Sequence, residues 1–324
     1  MNMDPANVNR VTIVGTGVIG SGWAAHYLRQ GLDVTAYDPA PDAETRLRQK
    51  VTRVWPAMEA LGLKKGANPE RLTFVPDLRT AVSNAQFIQE SAPERLALKQ
   101  DLLAEIDAFS PASAIIASST SGYSMSDLQK KCSRHPERMV IAHPFNPPYL
   151  IPLVEVGGGE KSAPAIVDWA VDFYRIVGKK PLKMSKELPG FIANRLQEAL
   201  WREALHMVNE DMATVEEIDA AIAWGPGLRW ALMGPCLIFH LAGGEGGMKH
   251  MLEHFNPELF ADWTRLSPPP ITENLIASMV DGCEREAGGV SIQALEEYRD
   301  DCLISIIKAL EGHEFPKTES ARHP

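Results

Sequence analysis

The sequence turns on Arg10-Val-Thr-Ile-Val-Gly-Thr-Gly-Val-Ile-Gly20, a β-branched run that ends in three glycines spaced as GxGxxG and opens a helix. In that context Gly15 permits the tight turn, Gly17 lets backbone approach a pyrophosphate, and Gly20 allows helix and strand to pack closely. The helix N-terminus, with its free N–H groups and dipole, then faces the phosphates, so Thr16, Val18 and Ile19 join the glycines as expected cofactor contacts. Asp38 ends the next β-branched run, Asp33-Val-Thr-Ala-Tyr-Asp38, where a carboxylate can accept hydrogen bonds from ribose hydroxyls. The same carboxylate repels a 2′-phosphate, and Pro39 and Ala40 supply no arginine to hold one. The dinucleotide expected here is therefore NAD rather than NADP.

Outward from this unit, short apolar runs alternate with helix-compatible segments: Gln86-Phe-Ile-Gln-Glu90, Ala114-Ile-Ile-Ala-Ser118, Met139-Val-Ile-Ala-His143, Leu153-Val-Glu-Val156 and Lys180-Pro-Leu-Lys-Met184. Strand–helix repetition predicts an α/β fold with a Rossmann-type, doubly wound, mostly parallel sheet. After Leu188 the pattern becomes amphipathic helix, from Gly190 to about Val208 and again from Thr214 to Ala223. Pro189-Gly190 punctuates the change, which gives a dinucleotide-binding domain over 1–187 and an all-helical domain over 188–324. Gly225-Pro-Gly-Leu228, Met233-Gly-Pro235 and Ser267-Pro-Pro-Pro270 read as loops between helices.

Composition narrows the function classes. The 324 residues carry 42 acidic and 32 basic side chains, a net charge of −10, and are 45% hydrophobic, enough for two buried cores. Ten excess negative charges with no basic patch argue against nucleic acid or an anionic membrane as partner. The N-terminus lacks a cationic start followed by an apolar run, and no stretch reaches the roughly 18–20 apolar residues of a membrane span, so a cytoplasmic protein is expected. Cys132, Cys236, Cys283 and Cys302 are widely spaced, as buried free thiols would be, and no metal site is expected.

His143 ends an apolar strand and precedes Pro-Phe-Asn-Pro-Pro148, and Glu155 follows 12 residues later inside Leu-Val-Glu-Val. Ligands of parallel sheets bind at the carboxyl ends of strands, so this histidine faces the cofactor crevice. A carboxylate flanked by apolar residues is costly to bury unless paired. Paired with His143, it forms a general base in which Glu155 fixes the tautomer and stabilises the imidazolium. The hydroxyls of Ser118-Ser-Thr-Ser-Gly122 also lie beyond a strand end, although Ser124 or Ser126 can equally cap the next helix. Asn194 can reach back toward the crevice or lie on a helix surface.

The motifs GTGVIGSGWA, ESAPERLALK, SSTS, HPFNPP with LVEV, and PGFIANRL together resemble the 3-hydroxyacyl-CoA dehydrogenase family over nearly the whole chain. The resemblance implies that His143 and Glu155 are the catalytic pair, that Ser121 and Asn194 hydrogen-bond the reacting oxygen, and that Glu94, Lys99 and Asn146 line the nicotinamide end. From position alone, Glu94 and Lys99 could also be a solvated helical charge pair. The segment after the second strand, Val51-Thr-Arg-Val-Trp-Pro-Ala-Met-Glu-Ala60, has Pro56 in its middle and lacks the lysine-rich face that meets CoA in the acyl-CoA enzymes. VWPAMEALGL, ALWREALHMVN, GLRWALMGP and YRDDCL are instead similar to the branch that oxidises the 3-hydroxyl of L-carnitine. Another 3-hydroxy substrate, L-gulonate or an acyl-CoA, and a crystallin-like structural role are the alternatives. A trimethylammonium group has no N–H to donate and is recognised by aromatic faces. Phe145, Trp230 and Phe255 are the aromatic candidates, with Gly190, Ile192, Ala193 and Gly225 shaping the pocket. The resemblance also implies a homodimer.

Overall fold

Eight strands form one sheet: β1 (Arg10–Val14), β2 (Asp33–Tyr37), β3 (Leu72–Phe74), β4 (Phe87–Glu90), β5 (Ile115–Ser118), β6 (Met139–Pro144), β7 (Leu153–Gly157) and β8 (Lys180–Lys183). Their order is β3-β2-β1-β4-β5-β6-β7-β8, and every pairing is parallel except β6–β7. The computed structural model describes residues 4–254, 264, 266, 267 and 269–311. The chain divides into two compact units, one ending at Asn194 and the other beginning at Arg195.

Six helices cover the sheet: α1 (Val18–Arg29), α2 (Ala43–Ala60), α3 (Leu78–Val82), α4 (Leu96–Phe109), α5 (Met125–Leu128) and α6 (Pro164–Ile176). The period-2 geometry of a strand sends alternate side chains to opposite faces. Ile13, Phe87, Ile115 and Val140 pack with Trp23 and Tyr27 of α1 and with Phe173 of α6. Val14, Ile88, Ile116 and Ile141 pack with Leu103 and Ile106 of α4 and with Leu128 of α5. Both faces are buried, which is why these strands read as continuous apolar runs. The order β3-β2-β1-β4 reverses at β1, and the carboxyl-end crevice between β1 and β4 is where such sheets take ligands.

The structure corrects or completes the sequence reading in four places. β3 is three residues long, too short to show alternation. Helix α2 runs through Pro56 to Ala60, a segment whose structure the sequence reading left undefined. Gly225–Leu228 is not a loop: Pro226 opens a short helix, Pro226–Trp230, at the position where its fixed φ and missing N–H cost nothing. The four thiols are free, but only Cys132 is buried, and Cys236 and Cys283 are exposed on the helices of the second unit.

Helix α7 (Ala193–Asn209) leads into α8 (Val215–Trp224), α9 (Pro226–Trp230), α10 (Pro235–Ala242), α11 (Gly247–His254), α12 (Glu273–Ala287) and α13 (Ile292–Leu310). Thr214 and Glu217 start α8 with a reciprocal capping box. Leu205, Val208, Val215 and Leu275 form the small core of this unit. No described helix is long and apolar enough to cross a membrane.

A buried ion pair joins the end of α4 to the start of β6. Arg138 donates to Asp107 Oδ1 at 3.0 Å and to the carbonyls of Asp107, Pro111 and Ala114, and both side chains are nearly inaccessible to solvent. Asp107→Ala would strand a buried guanidinium and is expected to cost about 3–5 kcal/mol. Urea unfolding checks this, and a loss below about 1 kcal/mol would show that the pair is dispensable.

Candidate active site

Gly15 adopts φ +90°, and a Cβ there would lie 2.7 Å from the Ser91 backbone. At Gly20 a Cβ would come within 1.8 Å of the Gly15 carbonyl oxygen, whereas Gly17 has open space on that side. No side chain caps the first turn of α1, so its N–H groups remain for a ligand. Asp38 Oδ2 accepts from the Thr16 N–H at 2.8 Å and the Thr16 hydroxyl at 3.1 Å, and Oδ1 accepts from the Ala40 N–H at 2.9 Å. The carboxylate therefore pins the glycine loop to the end of β2 and retains acceptor capacity for a ribose hydroxyl. A cleft of about 610 Å³ runs along Gly15, Gly17, Val18, Ile19 and Asp38. Tyr37, Ser91, Ala92, Pro93 and Leu98 also line it; the last four lie inside the ESAPERLALK motif but were not among its candidate residues. Open backbone at Gly17, an uncapped helix start and a carboxylate at the β2 edge suit the phosphates and ribose of a dinucleotide.

Glu94 and Lys99 are not a solvated pair. Lys99 is 1% exposed, and its ammonium donates to Glu90 Oε1 at 2.8 Å, with Glu94 Oε2 at 3.4 Å. Glu90, absent from the sequence-derived candidates, is completely buried and also accepts from the Ala92 N–H and the Ser118 hydroxyl. It gathers the ends of β4 and β5 and the first turn of α4. Glu94 takes the N–H groups of Ser121 and Gly122 at 3.0 and 3.2 Å and so holds the hydroxyl loop. Ser124 accepts from the Asp127 N–H and caps α5, the alternative left open by its position.

His143 and Glu155 are direct partners across the antiparallel β6–β7 pair. The histidine Nδ1 meets Glu155 Oε2 at 2.9 Å, with 4% of His143 and none of Glu155 exposed. An ionised carboxylate only accepts, so Nδ1 carries the proton and Nε2 presents a lone pair. Among the described residues no protein group bonds Nε2. Glu155 Oε1 accepts from the N–H groups of Ile192 and Ala193 at 2.8 and 2.9 Å. Burial alone would raise the Glu155 pKa, but the bonds from His143, Ala193 and Ile192 outweigh it and hold the carboxyl below its ordinary range.

Two aromatic rings flank the imidazole: Phe145 at 5.4 Å between centroids and Phe191 at 5.2 Å. Phe191 was not among the candidates, although it lies inside PGFIANRL. It has φ +53°, uncommon for a bulky side chain, and follows Gly190 at φ +72°. These two left-handed residues turn the chain so that Ile192 and Ala193 deliver their N–H groups to Glu155, which occupies both with protein contacts. Asn194 Nδ2 donates to the Ser121 carbonyl at 2.9 Å, which brings those two candidates together through backbone. Asn146 is exposed and precedes a cis peptide bond to Pro147. Gly225 and Trp230 belong to the second unit, and Phe255 lies outside the described residues. No three metal-ligating side chains converge among the described residues.

Residues 10–188 match the NAD-binding domain of 3-hydroxyacyl-CoA dehydrogenase, and residues 190–289 match its C-terminal domain. The chain belongs to the 3-hydroxyacyl-CoA dehydrogenase family, and its cofactor is NAD. It is similar to an L-carnitine dehydrogenase of Streptomyces griseus, with 60% identity over 94% of this chain and 91% of the relative. An L-carnitine dehydrogenase of Nocardiopsis dassonvillei is 58% identical over 98% of this chain and 95% of its own. Among solved structures, the 5-formyl-3-hydroxy-2-methylpyridine 4-carboxylic acid 5-dehydrogenase, described as an NAD+-dependent dismutase, superimposes with a TM-score of 0.81 at 31% identity, covering 95% of this chain and 100% of that one.

Gly17→Ala is expected to fold normally yet weaken NAD binding by about tenfold or more, because its methyl enters the phosphate space. Gly20→Ala is expected to lower the melting temperature instead. Calorimetric titration and thermal melts separate the two, and equal NAD affinity for Gly17→Ala and wild type would refute the phosphate assignment. Folding lowers the Glu155 pKa, so its contribution to stability is full above the unfolded value of about 4.3 and disappears as pH falls through the folded value. The melting-temperature gap between wild type and Glu155→Gln is expected to be widest near neutral pH and to close in acid. A gap constant down to about pH 3 would contradict an ionised Glu155.

Proposed function

We propose that the chain oxidises the 3-hydroxyl of L-carnitine to 3-dehydrocarnitine with NAD. The observation that carries this reading is the buried His143–Glu155 pair, with Nε2 open at the same sheet edge as the dinucleotide cleft. The names of the relatives point to carnitine as the alcohol. When bound, NAD supplies the hydride acceptor. His143 Nε2 takes the hydroxyl proton, and Glu155 holds the ring and stabilises the imidazolium. The Ser121 hydroxyl and the second N–H of the Asn194 amide position the oxygen as its charge changes. Phe145 offers a ring face to the trimethylammonium group, a contact worth roughly 0.5–2 kcal/mol.

The division of labour follows the sequence: residues 1–187 bind NAD and carry the His–Glu pair, and 188–324 contribute to substrate binding and dimerisation. The apolar surface of the second unit supports a homodimer. Trp224, Leu232, Leu241 and Ile292 are 79%, 65%, 60% and 76% exposed, more apolar area than a solitary unit usually shows to water. A cytoplasmic setting, with NAD at hand, completes the proposal.

NADH formation with L-carnitine, L-gulonate and 3-hydroxybutyryl-CoA tests the substrate, and turnover is expected with L-carnitine above the others. His143→Ala is expected to lower kcat by about 10³-fold while leaving NAD binding unchanged. Turnover of L-carnitine by His143→Ala at the wild-type rate would sink the mechanism.

A further inference from the structure

Lys179 stands immediately before β8, where a lysine would ordinarily reach solvent, yet it is 3% exposed. Among the described residues no carboxylate pairs with it. Its amine donates to the carbonyl of Pro148 and, at 3.0 Å, to that of Ile151, and it lies 4.9 Å from the centre of the Trp23 ring. Both carbonyls belong to the connection between β6 and β7, the loop that carries Phe145, Asn146 and the cis Asn146–Pro147 bond. Burial, reinforced by the Arg29 charge, pushes the Lys179 pKa down to about 7. Protonated or neutral, the amine keeps at least two N–H bonds, enough for both carbonyls. A buried charge met only by neutral acceptors is a poor way to stabilise a fold, since an apolar side chain of similar length avoids its desolvation. A methionine there could fill the space but could not hold the loop.

A second unusual residue meets the same loop. Gly22 lies inside α1, where glycine is disfavoured relative to alanine. A Cβ at Gly22 would come 2.8 Å from Pro148 Cδ. The missing side chain lets the loop seat against the helix whose N-terminus faces the cofactor phosphates. Within the loop, the N–H groups of Leu150 and Ile151 both donate to the Pro147 carbonyl, at 3.0 and 2.9 Å, and the Lys180 N–H takes the Pro152 carbonyl at 2.8 Å. Lys179 therefore supplies the donors that the loop's own backbone lacks for Pro148 and Ile151.

We propose that Lys179 and Gly22 are positioning residues for the dehydrogenase reaction: holding the β6–β7 loop by its carbonyls and by close approach at Pro148, they fix Phe145 and Asn146 relative to α1. The kinetic part of this inference rests on the function proposed above, whereas the structural part does not.

Lys179→Met and Gly22→Ala in the full chain test it, with four readings on each: exchange of the Leu150 and Ile151 amides, NAD affinity, kcat and KM for L-carnitine, and melting temperature. The expected pattern is exchange and kcat each changed by about tenfold or more, with NAD affinity and melting temperature near wild type. Unchanged exchange and unchanged kcat would overturn the proposal. So would a fall in kcat that only tracks a fall in melting temperature, the signature of a purely structural role. One substitution removes donors from the loop and the other adds bulk against it, so either one decides the matter if the other fails to fold. If wild type does not oxidise L-carnitine, the functional reading fails, and amide exchange alone still supports or overturns the loop grip.

Discussion

A carboxylate with no access to water stays ionised only where neighbouring donors replace its hydration, and Glu155 imposes that demand on everything around it. Its three donors come from two parts of the chain: the His143 ring on β6 and the N–H groups of Ile192 and Ala193 at the start of α7. Meeting the demand requires β7 to run antiparallel to β6, so that residues 143 and 155 fall opposite each other. It also requires the Gly190–Phe191 turn, whose left-handed backbone aims two amides at one oxygen. The same turn seats the Phe191 ring beside the imidazole, so one structural device charges the carboxylate and packs the base.

The dinucleotide side obeys a comparable economy of donors. Asp38 spends three acceptor positions on Thr16 and Ala40, which makes the glycine loop rigid before any ligand arrives. Glu90 does the same two strands over, at the end of β4, for Lys99, Ala92 and Ser118. Each of these anions at the carboxyl edge of the sheet, the half-buried Asp38 and the buried Glu90, thus ties a strand end to a loop that lines the site. Preorganisation of this kind removes the cost of ordering loops when ligand binds.

Local chemistry was legible in the sequence, and features that depend on strand direction or tertiary neighbours were not. GxGxxG followed by Asp38 specifies most of its own geometry: Gly20 is required by its contact with the Gly15 carbonyl inside one strand–turn–helix unit and Gly15 by its φ of +90°, whereas the crowding of Gly15 by the Ser91 backbone comes from beyond β4. The His143–Glu155 pairing was also readable, from the cost of burying a lone carboxylate. That β7 reverses was not: its apolar run is the same in either direction, and only the short, helix-free connection from Phe145 to Pro152 hints at an antiparallel step. Glu90 looked like an ordinary strand-end acid, and its burial became visible only with Lys99 folded over it. Phe191 was hidden inside a motif whose neighbours attracted attention, and nothing in its residue type announces a positive φ. Pro226 shows the reverse error, in which a proline read as part of a loop begins a helix.

The protonation state of the His143 ring tests the base assignment without any substrate. Nitrogen NMR of the histidine-labelled protein is expected to show that the neutral form of the ring carries its proton on Nδ1, strongly hydrogen-bonded, with Nε2 bare, and that the Nδ1 signal shifts in Glu155→Gln. A neutral ring protonated on Nε2, unaffected by that substitution, would mean that Glu155 does not orient the imidazole and that His143 cannot accept the substrate proton in this geometry.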